Sequence, residues 1–176
     1  MSMVIILTSF LLKIIGIISM TFDHIGIAIL GKFSFLNLIG RLAFPLFAFQ
    51  ATEGYIHTKD FRKHILKLFV FACVSQIPFM LFSSIFSNNY FSLNVLFTFI
   101  LGLCAIYLYD KSNKFCGLLF VVLFGIFAEL INVDYGMYGI FLMFVFYIFK
   151  SRKLLMALSS IFLMVVFYVS YMFVFP

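Results

Sequence analysis

The chain has 176 residues; 65% are hydrophobic, 10% are charged, and the mean hydropathy is +1.22. A soluble domain carries roughly 25% charged residues, so there is too little polar material here to clothe a surface in water. Disorder, a coiled coil and a small secreted scaffold are excluded, and an all-α, polytopic membrane bundle with lipid as its outer solvent remains. The net charge of +6 sits in short segments between apolar runs, which makes it a signal of topology rather than of nucleic-acid binding.

Seven apolar runs are expected to be transmembrane helices, at about residues 4–30, 38–56, 64–86, 92–109, 115–131, 135–149 and 154–175. A crossing needs about 20 residues, so the fifth and sixth are short and suit tilted or re-entrant elements. The first is long, and its opening residues suit an interfacial lead-in. No basic segment and small-residue cleavage site frame it as a signal peptide. The connections are short and show no repeat, so residues 1–176 are expected to form a single integral membrane domain.

The first run contains KIIGIISMTFDHIG. Lys13 and His24 are eleven steps of 100° apart, three turns plus 20°, so they share a face about 16 Å apart along the axis. Asp23 lies about 100° round from His24. An ionisable group inside an apolar helix costs about 2.5–3.5 kcal/mol on the insertion scale, which makes Asp23 and His24 functional candidates. An imidazole titrates near neutrality and suits a general base. The plainer reading is a structural histidine bonded to a neighbouring helix.

The second run, GRLAFPLFAFQATEGYIHT, puts Gln50, Glu53 and His57 on one stripe and Arg41 at the other end. Pro45 is expected to free a carbonyl and kink the helix. Glu53 would orient or balance a base, and Arg41 would neutralise an anion or the Asp of the first run. The plainer reading is a snorkelling arginine and an interfacial Glu–His pair. In the third run SQIPF interrupts the Phe and Leu residues. In the fourth, Asn94, Thr98, Leu101 and Gly102 form a stripe that reads either as helix-packing glue or as part of a donor site. The fifth ends in AELINVDYGMYG, where Asp134 beside two Tyr-Gly pairs suits a cavity wall or an ordinary loop. Asp60 and Asp110 are read as loop residues. Cys73, Cys104 and Cys116 have no metal-site spacing, and no metal is expected.

The cations alternate between the two ends of the runs. Lys59, Arg62, Lys63, Lys67, Lys111, Lys114, Lys150, Arg152 and Lys153 fall on one side, and Lys32 and Arg41 on the other. The positive-inside rule places the first group in the cytoplasm, the N-terminus inside and, with seven spans, the C-terminus outside. Nucleotide-binding glycine loops, zinc-protease motifs and serine-hydrolase elbows are absent from the sequence.

The segments KIIGIISMTFDHIG, GRLAFPLFAFQATEGYIHT, SQIPF, LNVLFTFILGL and DYGMYGI occur in the order expected of the TraX family, and the chain resembles that family over roughly residues 12–141. The last run looks particular to this chain. The family is named for an inner-membrane F-pilin acetylase. The resemblance therefore implies acetyl transfer from acetyl-CoA to an exported acceptor, a pilin N-terminal amine or another peptide or envelope group. It implies a multi-pass protein of the bacterial inner membrane. The Lys13–His24 gap also resembles the basic residue, ten-residue gap and His of wider transmembrane acyltransferases, with Lys13 where Arg is usual. On this reading His24 is the base, Asp23, Glu53 and Arg41 complete the catalytic set, and Lys13, His57, Asn94 and Thr98 serve the donor. Two rivals stand beside it: a small proton-coupled transporter using Asp23, His24 and Glu53, and a non-catalytic membrane adaptor.

Overall fold

A computed structural model describes residues 2–30, 35–86 and 92–174. Lys32 lies outside the described residues. Those residues form eight α-helices and one π-helical turn, and no strand is present among them. The chain divides into two compact units, Met1–Ala51 and Thr52–Pro176.

The first unit holds α1 (Ser2–Ile25), the π turn Gly26–Leu30, α2 (Phe35–Gly40) and the larger part of α3 (Ala43–His57). Small residues set its packing. A side chain at Gly16 would strike the Phe47 ring at 2.8 Å from Cζ, and one at Gly40 would overlap Asp23, so α2 packs closely on α1 and the Phe47 ring of α3 reaches it. The expected second span is two helices, broken at Arg41 and Leu42. The break falls three and four residues before Pro45, where the ring lacks an N–H to give and crowds the Arg41 carbonyl, so the expected interruption is present and Pro45 sits in the first turn of α3 as its third residue.

In the second unit α4 (Phe61–Phe86), α5 (Val95–Lys111), α6 (Lys114–Leu130), α7 (Gly136–Ile148) and α8 (Lys153–Val174) follow the end of α3. The helices α5, α6 and α7 pack mutually, with α4 against α5 and α8 against α7. Their core is Ala105, Val121, Ala128, Val133 and Ile140. Glycines bring the backbones together: Gly117 faces Tyr109 and Gly125 faces Met137. This is the small-residue packing that substitutes for a hydrophobic driving force in lipid.

Helix caps come from the sequence. Asn94 accepts from the Leu96 N–H and Asn113 from the Cys116 N–H, each satisfying an orphan donor. Between α6 and α7, Asn132 and Tyr135 adopt left-handed backbone (φ 55° and 63°), and Gly136 has φ 37°. A parallel bridge between Leu93 and Val133 ties this turn to the start of α5, the Leu93 N–H donating to the Asn132 carbonyl and the Leu93 carbonyl accepting from the Asp134 N–H.

Two helical stretches, Ser9–Leu30 and Phe61–Phe86, are long and apolar enough to cross a bilayer. On α4 Leu66, Phe71, Val74, Ile77, Leu81 and Ile85 are each more than 60% exposed. In water that surface would be untenable at roughly 25 cal/mol per Å² of apolar area; in lipid it is the expected outer face, and the chain is a membrane protein. The helices α3, α5, α6 and α7 have 15, 17, 17 and 13 residues, below the usual crossing length of about 20.

Candidate functional site

In the first unit the polar residues gather where α1 gives way to the π turn. Asp23 is held by α2: the Asn37 amide donates to its backbone carbonyl at 3.0 Å and to its carboxylate Oδ1 at 3.2 Å. Asn37 is buried. The close approach that makes these bonds possible depends on Gly40, one turn further along α2. His24 follows directly. Its Nδ1 lies 2.8 Å from the Met20 carbonyl. A carbonyl only accepts, so Nδ1 donates this bond, and in the neutral ring Nε2 is then the acceptor nitrogen. The π turn beginning at Gly26 had no signal in the sequence; such turns recur at functional sites.

Lys13 is exposed on α1, and Arg41 is exposed at the break between α2 and α3, its N–H donating to the Asn37 carbonyl at 3.0 Å. In the second unit Glu53 and His57 pair on α3 at 3.4 Å, with His57 largely exposed. The structure thus joins Asp23 to Asn37 in one unit, with the adjacent His24 bonded to its own helix, and Glu53 to His57 in the other.

Asn94 and Thr98 are engaged inside the second unit. The Asn94 amide donates to the Ala72 carbonyl at 2.8 Å and to Gln76 Oε1 at 2.9 Å, and Gln76 in turn donates to the Ser92 carbonyl. Thr98, fully buried, donates to the Asp134 carbonyl. Glu129 accepts from the Met137 N–H at 3.1 Å, a carboxylate at the N-terminus of α7, where the helix dipole favours it.

The opposite end of the second unit carries a feature the sequence reading passed over. Asp110 is the penultimate residue of α5 rather than a loop residue. Tyr55 on α3 donates to its Oδ2 at 2.7 Å, and Tyr147 on α7 donates to its Oδ1. Phe61 on α4 stacks on Tyr107 of α5, with centroids 4.3 Å apart and planes within 2°. These groups line a cavity of about 310 Å³ together with Lys59, Lys111 and Lys150. Lys150 lies over the Tyr147 ring at 4.4 Å and Lys111 over Tyr107 at 5.8 Å. The available signal was the recurrence of Tyr, Asp and Lys at one set of helix ends.

The model of the TraX protein family matches residues 9–176. The match therefore extends through α8, the run that looked particular to this chain. An uncharacterized protein of Rickettsia prowazekii (strain Madrid E) is 27% identical over 149 residues, covering 81% of this chain and 56% of that protein. A probable fimbrial assembly protein, FimC of serogroup H1, from Dichelobacter nodosus is 31% identical over 145 residues, covering 76% of this chain and 59% of its own length. The chain thus matches less than two thirds of the length of these relatives. No solved structure matches. The order of polar motifs along the helices and the near-complete extent of the family match lead to one assignment: the chain belongs to the TraX family.

Proposed function

We propose that the protein is a multi-pass inner-membrane acetyltransferase that moves an acetyl group from cytoplasmic acetyl-CoA to an exported acceptor, with His24 as general base. The observation that carries this reading is the Nδ1 bond of His24 to the Met20 carbonyl, which makes Nε2 the basic nitrogen. Nε2 takes the proton from the acceptor amine or hydroxyl as its heteroatom attacks the thioester carbonyl. The carbonyl becomes an oxyanion. As it re-forms, the C–S bond breaks, and the proton passes from His24 to the departing CoA thiolate. Arg41 offsets the oxyanion charge. Asp23, steadied by Asn37, sets the field beside the imidazole.

The fimbrial assembly name of the Dichelobacter nodosus relative supports a pilus-associated acceptor, a pilin N-terminal amine or a related envelope group. The nine cations at one set of helix ends support a donor arriving from the cytoplasm.

His24→Gln keeps a hydrogen-bonding side chain but no titratable base. It should insert and melt like the parent protein and lose acetyl transfer by about 100-fold or more, the usual scale for a general base. His57→Gln, at an exposed pair, should leave transfer within about threefold of the parent, as exposed ion pairs contribute little. Near-normal transfer by His24→Gln would remove His24 from the mechanism.

A further inference from the structure

Three lysines from three separate connections meet at one cavity. Lys59 follows α3, Lys111 closes α5 and Lys150 follows α7. Their convergence does not follow from sequence proximity; the bundle creates it. Against them stands one carboxylate, Asp110, so the lined cavity carries an excess of positive charge. Two of the cations are drawn over tyrosine rings, which holds ammonium groups at defined places on the rim.

The remaining lining is of a different kind. The Phe61–Tyr107 stack gives flat aromatic surface. Beside it, each Asp110 oxygen accepts a tyrosine hydroxyl and has a second lone pair with which to accept another donor. Tyr55 meets Phe61 and Tyr147 edge-on, at 5.7 and 5.9 Å between centroids, so the carboxylate is fixed by rings that are themselves braced. A ligand suited to all of these features has a planar ring with an exocyclic N–H donor and, some ångströms away, several phosphates. The volume of about 310 Å³ is at the lower end of the range for small-molecule sites, roughly 300–1,000 Å³. It suits a nucleoside-sized group rather than a long ligand in full.

We infer that this cavity binds the phosphorylated adenine-nucleotide head of the donor, with the purine against Phe61 and Tyr107, its amino group donating to Asp110, and the phosphates on Lys59, Lys111 and Lys150. The identity of the donor as acetyl-CoA rests on the acetyltransferase reading above; the site itself rests on the geometry. An anionic lipid headgroup shares the phosphate chemistry but has no purine to use the aromatic stack or the carboxylate.

The test uses the full chain in nanodiscs of zwitterionic phosphatidylcholine. Equilibrium dialysis measures binding of CoA, adenosine 3′,5′-bisphosphate and its inosine counterpart, which lacks the exocyclic amine. The parent protein should bind the first two and discriminate against inosine. The pair Lys111→Gln/Lys150→Gln should weaken adenosine bisphosphate by about 10-fold or more, the scale of lost charge-assisted bonds. The pair Lys114→Gln/Lys153→Gln removes the same charge at the same helix ends from residues outside the cavity lining and should change binding by less than about threefold. Asp110→Asn should reduce the preference for adenosine over inosine.

Equal weakening by both lysine pairs, or by neither, would overturn the site. So would displacement of the nucleotide by phosphatidylglycerol at a few molecules per disc, the behaviour of a lipid-headgroup site. Acetyl transfer and CoA binding that ignore the cavity variants would overturn this site while leaving the transferase reading in place. Cavity-dependent nucleotide binding by a protein that transfers no acetyl group would support the site and remove the transferase reading.

Discussion

His24 and His57 show how neighbours divide two similar residues. His57 pairs with Glu53 on an exposed turn, while His24 is oriented by its own helix and stands beside a carboxylate held from across the unit. The holding residue is Asn37, buried and donating twice to Asp23. Asn37→Ala should therefore cost about 1–3 kcal/mol, the scale for stripping partners from a polar group, read as a lower melting temperature in detergent. It should also reduce acetyl transfer, because Asp23 loses its placement. Unchanged stability would mean that the two bonds contribute nothing to the unit. Asp23 and His24 were legible in the sequence because charge inside an apolar run is costly. Asn37 was not, because an amide near a helix end has no such signature. Asp110 was passed over for a similar reason: a carboxylate at the margin of an apolar run reads as solvated, and only the folded chain brings Tyr55 and Tyr147 to it.

Among the elements, six of the seven expected helices lie within a few residues of their predicted bounds, because strongly apolar runs flanked by Lys, Asn and Gly leave little choice of where a helix starts and stops. The second is the exception. Gly40, Arg41 and Leu42 divide it, and the close packing of Gly40 on Asp23 explains why α2 turns there. Pro45, three and four residues beyond the break, was its visible signal in the sequence, and the Gly40–Asp23 contact lies beside it. Pro45→Ala tests the first-turn placement of the proline. A proline in the first turn loses no hydrogen bond, so the substitution should change stability by less than about 0.5 kcal/mol. A proline inside one continuous helix would cost about 3 kcal/mol, so replacing it would stabilise the fold markedly. Thermal unfolding of the purified variant distinguishes the two. Of the expected stripe Asn94, Thr98, Leu101 and Gly102, Asn94 is the N-cap of α5 and the other three lie within the helix, with Thr98 and Gly102 buried. The bonds of Asn94 and Thr98 to Ala72, Gln76 and Asp134 depend on chain far away in sequence and were not readable.

At the scale of the whole molecule, the sorting of cations is the feature most fully written in the sequence. In the second unit the ends of α3, α5 and α7 contribute Lys59, Lys111 and Lys150 to one cavity, as expected for residues on one side of a bundle. Sided charge is a topological signal, and the positive-inside rule leads us to propose that this end faces the cytoplasm. Asn113, the exposed N-cap of α6 between Lys111 and Lys114, reports on it. Asn113→Cys in a background lacking Cys73, Cys104 and Cys116 should react with a membrane-impermeant maleimide in inverted vesicles and be protected in intact cells. Labelling of intact cells would reverse the orientation and put the lysine cavity on the wrong face for a cytoplasmic donor.

The most direct measurement of the central claim is mass spectrometry of exported proteins and envelope glycans from cells with the protein, without it, and with His24→Gln restored at the same level. Acetyl groups, one gained per modified amine or hydroxyl, are expected with the parent protein and should be absent in both other strains. Identical acetylation in all three strains would contradict the claim.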